Sequence, residues 1–155
     1  MRPDLVWLGD RCKMKMIEGG ETAAKGFSAG GMYCGIRKNK TKPDLAMIYS
    51  AAPCTAAGMY TSNLVKGAPI LVTKRNLTNG VDRAASCNSG NANTCNADGE
   101  EKAWRMCEIA GKALNIDPSD VIVASTGVIG MQLPMDRIEA GIHAMAPLLC
   151  GGEES

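Results

Sequence analysis

Thr126 and Gly127 end the apolar, largely β-branched run Val121-Ile122-Val123-Ala124-Ser125 and are followed by Val128-Ile129-Gly130. Such a run reads as a buried strand that delivers both residues to a tight bend at the sheet edge. A hydroxyl on a rigid strand end, beside the backbone N–H of a Gly, can stabilise a developing oxyanion. In isolation the same residues also describe an ordinary structural turn. A second element adds to them. Arg83-Ala84-Ala85-Ser86-Cys87 reads as another short strand, running into Asn88-Ser89-Gly90-Asn91-Ala92-Asn93. Small and amide residues around one Gly favour left-handed turns and Asx-type hydrogen bonds. This stretch is therefore expected to be either an Asn-rich turn or an amide-lined wall near a site.

A hydroxyl nucleophile needs an adjacent base. The chain has one His, His143, one helical turn after Glu139. Its amphipathic setting reads as a helix surface, so a Ser-His-Asp arrangement contained in this chain is not expected. There is no G-x-S-x-G, no Walker A loop and no G-x-G-x-x-G. Cys12, Cys34, Cys54, Cys87, Cys95, Cys107 and Cys150 are odd in number and form no C-x-x-C. Cys34, Cys87 and Cys107 fall in apolar patterns, where a thiol behaves as a small hydrophobe. Free thiols of a reducing cytoplasm account for the set. With a single imidazole, no zinc site is expected, and neither metal nor cofactor is called for.

The elements that must position these residues follow from composition and periodicity. At 155 residues, with 45% hydrophobic and 21% charged residues, the chain has the make-up of one globular domain. A net charge of +1 without a basic face argues against nucleic acid as partner. No apolar run reaches the ~18 residues of a membrane span. Arg37, Lys38, Lys40 and Lys42 read as a solvated hairpin tip rather than a phosphate site. The tip joins a strand over Phe27–Ile36 to Leu45-Ala46-Met47-Ile48-Tyr49, and a third strand is expected around Ala56–Tyr60, after a break at Pro53. Ala68–Leu77 is ambiguous between strand and helix. Glu100–Asn115 is the clearest helix: Ala103, Met106, Cys107, Ala110, Ala113 and Leu114 fall on one face, Lys102, Arg105 and Lys112 on the other, and acids crowd its first turn. A last helix is expected from Pro134 to Pro147, with Ile138, Ile142 and Met145 inward. Met14, Met32, Met47, Met106, Met135 and Met145 read as packing residues. Strands first, then helix, strand, helix, predicts an α+β or layered α/β domain.

Several blocks occur together in order: Gly19-Gly20-Glu21-Thr22-Ala23-Ala24-Lys25-Gly26-Phe27, Ala57-Gly58-Met59-Tyr60-Thr61-Ser62-Asn63, Lys66-Gly67-Ala68-Pro69, Asn88–Asn93, and Ala124–Gly130 followed by Leu133-Pro134-Met135. In these blocks, from Gly19 to about Leu149, the chain resembles the α-chain region of the ornithine acetyltransferase (glutamate N-acetyltransferase) family of arginine biosynthesis. The resemblance implies a two-sheet sandwich flanked by helices, of the self-cleaving N-terminal-nucleophile-like type, incomplete in this chain. It also implies a precursor that cuts itself before a Thr, which becomes the β chain's N-terminus and nucleophile, its α-amine serving as base. That Thr is expected beyond Ser155. The implied reaction is ping-pong acetyl transfer from N-acetylornithine to glutamate by a cytoplasmic α2β2 assembly, with Thr126 (hydroxyl) and Gly127 (N–H) as the oxyanion hole. Some members also accept acetyl-CoA, and the residues here leave that open. Residues 1–13 are expected to be a leader or extension outside the resemblance, with Met14 or Met16 as alternative starts, and 14–155 a single domain, part of the α chain. A related self-cleaving aminopeptidase or amidase, and a non-catalytic remnant that binds a partner, stay open as alternatives.

Overall fold

The computed structural model describes residues 5–7, 13–15 and 20–151. Cys12, Met16, Gly19 and the residues after Gly151 lie outside them. Leu5–Trp7 (β1) and Lys13–Lys15 (β2) pair as an antiparallel ribbon. The main sheet has four strands in the order of the chain: Phe27–Met32 (β3), Leu45–Thr55 (β4), Val81–Asn91 (β5) and Val121–Val128 (β6). β4 pairs antiparallel with both β3 and β5, whereas β5 and β6 run parallel. A parallel neighbour requires a crossover, and the helix Gly99–Leu114 (α2) supplies it. Ala68–Asn76 (α1) and Met135–Met145 (α3) flank α2.

All three helices pack on one face of the sheet. Leu45 and Met47 of β4, Ala84 of β5, and Val121 and Val123 of β6 turn toward Val72 of α1, Met106 and Ala110 of α2, and Ile138 and Ile142 of α3, all buried in one cluster. Alternation then places Ala46, Ile48, Ala85, Cys87, Ile122 and Ala124 on the opposite face, which no helix of the described residues covers. The α+β class and the layering expected from the sequence are those of the structure, and the described residues contribute one helix-covered sheet.

The predicted α2 is observed within one residue of its expected bounds. Glu100 and Glu101 lie in its first turn and Asn115 closes it in the left-handed region at φ 55°. Arg105 and Lys112 are exposed as expected, while Lys102 is half-buried because it folds back 2.9 Å onto Asp98. Met47, Met106 and Met145 are core residues. Ala68–Leu77 resolves as helix. Pro69 sits in its first turn, and its far side is tied to β6: the Thr73 hydroxyl donates to Val123 O at 3.1 Å and accepts from Val123 N–H at 3.3 Å. Asn76 Nδ2 donates to Val121 O at 2.8 Å.

Three expectations need correction. Pro53 does not break β4, and Ala56–Tyr60 is not a strand. The β4–β5 register shifts between Tyr49 and Cys54, and a Pro is tolerated where an irregularity takes residues out of the ladder. Asn88–Asn91 is not a turn but the last part of β5, because its amides find partners that let the strand continue. Thr126 and Gly127 likewise precede the bend: β6 runs to Val128, and the chain turns afterwards through Gly130 at φ +79°.

Candidate active site

Parallel pairing of β5 with β6 sets Ser89 beside Thr126 and Gly90 beside Gly127. Register partners point to the same face, so the Ser89 and Thr126 side chains share the face away from the helices. Gly127 has φ +133°, and a Cβ built there would lie 2.3 Å from the Gly90 carbonyl carbon and 2.5 Å from Asn91 N. The missing side chain of Gly127 lets the two backbones approach more closely than a Cβ allows, while a Cβ at Gly90 would instead meet Arg37 Cγ at 2.7 Å. Thr126 is thereby a hydroxyl on a strand locked to its neighbour.

The Asn stretch fixes what surrounds this crossing. Asn88 is buried and donates from Nδ2 to Asn91 O at 2.9 Å. Asn91, also buried, donates to Gln132 O at 2.7 Å, tying the segment after Gly127 to the end of β5. Ala92 N–H donates to Val128 O at 2.9 Å, and Asn96 Nδ2 to Met131 O at 2.9 Å. Asn93, fully buried, holds Gly99 O at 2.7 Å and so anchors the start of α2. The stretch is thus not a turn, and the buried amides of Asn88, Asn91 and Asn93 tie backbone segments to one another.

Facing Thr126 and Gly127 across a cleft of about 640 Å³ is the turn that carries Ile36, Arg37 and Lys38. This turn is organised by Asp44, which is 2% exposed. Its carboxylate accepts from Cys34 N–H at 2.7 Å and Arg37 N–H at 2.8 Å, and its carbonyl from Ser89 N–H at 2.8 Å. Burial works against the Asp44 charge, but the Arg37 and Cys34 donors outweigh it and hold the carboxyl below its usual range. Burial and the same carboxylate push the Cys34 thiol up to about 12, so it is no nucleophile at neutral pH. Arg37 departs from the solvated tip expected of it. Lys38, Lys40 and Lys42 are exposed, whereas the Arg37 side chain turns inward, its Nε 3.1 Å from Ser89 Oγ and its Nη2 also bonded to that oxygen. The sequence reading missed this residue. Its only signal was its place in the tip.

His143 is exposed on α3, and Glu139 is engaged by Arg105 at 3.3 Å rather than by the imidazole. Among the described residues no three His, Cys, Asp or Glu side chains gather as a metal site. No helix of the described residues is long and apolar enough to cross a membrane.

The chain is 47% identical over 138 residues to the arginine biosynthesis bifunctional protein ArgJ of Symbiobacterium thermophilum, covering 88% of this chain and 34% of that protein. It is 47% identical over 124 residues to ArgJ 1 of Clostridium acetobutylicum, covering 79% and 30%. The chain thus spans about a third of the length of these relatives. Among solved structures, ornithine acetyltransferase complexed with ornithine from Mycobacterium tuberculosis superposes with a TM-score of 0.81 at 38% identity, covering 84% of this chain and 71% of that one. The arginine biosynthesis bifunctional protein argJ of Bacillus halodurans gives 0.77 at 39% identity, covering 81% and 65%. The family model for ArgJ matches residues 28–153, four fifths of the chain and all of the cleft just described, and the chain belongs to the ArgJ family.

Proposed function

We propose that this chain supplies the oxyanion-stabilising half of a glutamate N-acetyltransferase. In this reading a Thr at the N-terminus of a β chain from the same precursor takes acetyl from N-acetylornithine and passes it to glutamate. Both half-reactions pass through a tetrahedral intermediate whose O⁻ lies against the Thr126 hydroxyl and the Gly127 N–H. The observation that carries the reading is the Gly90–Gly127 contact, which fixes both donors on a strand end and leaves them lining an open cleft. Preorganised donors of this kind do not have to reorient as charge develops. The helix-free face of the sheet, rich in small residues, suits a second sheet contributed by the remainder of the family's chain. An α2β2 assembly in the cytoplasm, formed after self-cleavage, is the setting this reading implies, with acetyl-CoA as a further donor to be assayed.

Without the nucleophile, residues 1–155 alone are expected to transfer no acetyl group between ornithine and glutamate, and joining them to the remaining part of the family's chain restores transfer. In that complete protein Thr126→Val keeps volume and β propensity but removes the hydroxyl. Its kcat and kcat/KM are expected to fall together by ~10²-fold or more, with KM little changed. Near-normal kcat in Thr126→Val, or turnover by the isolated chain, overturns the proposal. Small peptides cleaved in preference to acetyl transfer would point instead to an aminopeptidase.

A further inference from the structure

Among the described residues, Asn91 is the buried amide that reaches the segment following the proposed oxyanion donors. Val121 turns its C=O, and Val123 both its main-chain groups, away from β5 toward Asn76 and Thr73. Alternation along β6 turns Gly127 the same way and Val128 toward β5. Val128 O accordingly accepts from Ala92 N–H at 2.9 Å. The Gly127 N–H is therefore no rung of the β5–β6 ladder. Its direction is set by the chain on either side, Thr126 before it and the loop from Val128 to Gln132 after it.

Little apolar burial holds that loop. Val128, Ile129 and Met131 are more than half exposed, and Leu133 is the first residue beyond β6 to enter the core. Among the described residues three side chains hold the loop's oxygens: Asn91 on Gln132 O, Asn96 on Met131 O and Lys102 on Gln132 Oε1. The last two bonds lie at the surface, where water competes for both partners. Asn91 is 3% exposed, so its 2.7 Å bond is shielded. Asn88 Nδ2, donating to Asn91 O at 2.9 Å, holds the residue from the other side. The Asn91 main chain also abuts the site, its N 2.5 Å from where a Cβ on Gly127 would stand. We infer that Asn91 is a positioning residue for acetyl transfer, pinning the loop at Gln132 so that the Gly127 N–H stays fixed beside the cleft. The inference rests on the acetyl-transfer reading above. A displacement of about 1 Å in a catalytic group is enough to slow a reaction by about 10²-fold. The effect falls on kcat, because the donor acts on charge that develops only in the transition state. Asn93 is buried as deeply but bonds Gly99 O on the α2 side, away from this loop. Only the Nδ2 donor of Asn91 is engaged, and Oδ1 has no partner among the described residues. A neutral carboxylic acid can therefore replace the amide, and a carboxylate cannot.

The test is steady-state acetyl transfer by the complete protein carrying Asn91→Ala, Asn91→Asp or Asn93→Ala, read beside the Gly127 amide resonance of this chain. Asn91→Ala is expected to lower kcat at least about tenfold, with KM within about twofold, and to shift the Gly127 resonance. Asn93→Ala is expected to lower the urea midpoint while leaving kcat and that resonance unchanged. In Asn91→Asp the neutral acid donates to Gln132 O, whereas the carboxylate repels it. Its kcat relative to the unmodified protein is expected to approach one near about pH 5.5 and to decline as pH rises to about 8, since burial raises a carboxyl above its usual range. Near-normal kcat in folded Asn91→Ala, an equal kcat loss in Asn93→Ala, or an Asn91→Asp no faster than Asn91→Ala near pH 5.5 overturns the positioning role. Should Asn91→Ala fail to fold, Asn91→Asp decides alone, and a kcat ratio that stays low across the range overturns it. The two proposals fail separately. An unmodified complete protein that transfers no acetyl removes the proposed function, and the Gly127 resonance then still reports on Asn91. Normal transfer with Asn91→Ala removes the positioning role alone.

Discussion

Replacing Gly127 with Ala tests the feature on which the candidate site depends. An ideal Cβ at that position lies 2.3 Å from Gly90 C, 2.5 Å from Asn91 N and 2.6 Å from Gly90 O. All three are backbone atoms, so no side chain can swing aside. Carbon atoms in contact sit about 3.5–4 Å apart, so β5 and β6 must separate by roughly 1 Å at their ends. The backbone at φ +133° also lies where an L-residue is strained, at a cost of about 1–3 kcal/mol. Separating the strands weakens about two ladder bonds, each contributing about 1 kcal/mol. Together the loss is about 3–5 kcal/mol, a large part of the total for a domain of this size. With a urea slope near 2 kcal/mol/M, the midpoint of unfolding should drop by about 2 M. Gly130→Ala is the control: it also has positive φ, +79°, but nothing lies within 4 Å of its Cβ. Its cost is the conformational strain alone, about 1 kcal/mol, or a shift of about 0.5 M. Midpoints for the two variants that agree within about 0.5 M would refute the close approach, and with it the argument that only glycine fits beside Gly90.

Two further outcomes concern the core beneath the site. Asn76→Ala should cost about 2 kcal/mol in thermal or urea unfolding, because Pro118 O loses its amide donor and Val121 O keeps only the weak Cys107 thiol. Asp82, 9% exposed on β5, has its carboxyl pushed up to about 7 by burial, aided by the Asp120 charge and opposed by a hydrogen bond from Arg83 N–H. The unfolded carboxyl titrates near 3.9. Between about pH 4 and 7 the native state therefore holds the extra proton, and stability should fall as pH rises through that window by up to about 4 kcal/mol. Asp82→Asn should flatten this slope, and an unchanged pH profile would show that the carboxyl is not desolvated.

What the sequence made legible was local. The apolar stripe and acidic first turn of α2, and the polar tip joining β3 to β4, both announce themselves within a few residues of chain. Thr126 and Gly127 were legible as a pair, though not as register partners of Ser89 and Gly90, since pairing is a property of two distant segments. The Asn stretch looked like a turn because its amides favour turns when unpartnered. Here Asn91 finds Gln132, 41 residues downstream. Ile70-Leu71-Val72 reads as a strand until Thr73 and Asn76 meet β6. Arg37 looked like one more solvated charge because its partner, Ser89, is 52 residues away. Pro53 looked like a terminator because a strand irregularity has no signature on its own side of the sheet.

The hydrogen bonds from α1 to β6 have a consequence for self-association. Among the described residues β6 is the last strand of the sheet, and an unpaired edge is a template on which another chain can add a strand. The Thr73 hydroxyl occupies both main-chain positions of Val123, and Asn76 occupies the carbonyl of Val121, so that half of the border is closed by side chains imitating a neighbouring strand. An invading strand cannot run the length of β6. It can add only beyond Val123, where the register is confined to a few residues. A threonine and an asparagine one helical turn apart thus protect the border from amyloid-like growth while keeping its far end, next to Thr126 and Gly127, free for a specific partner.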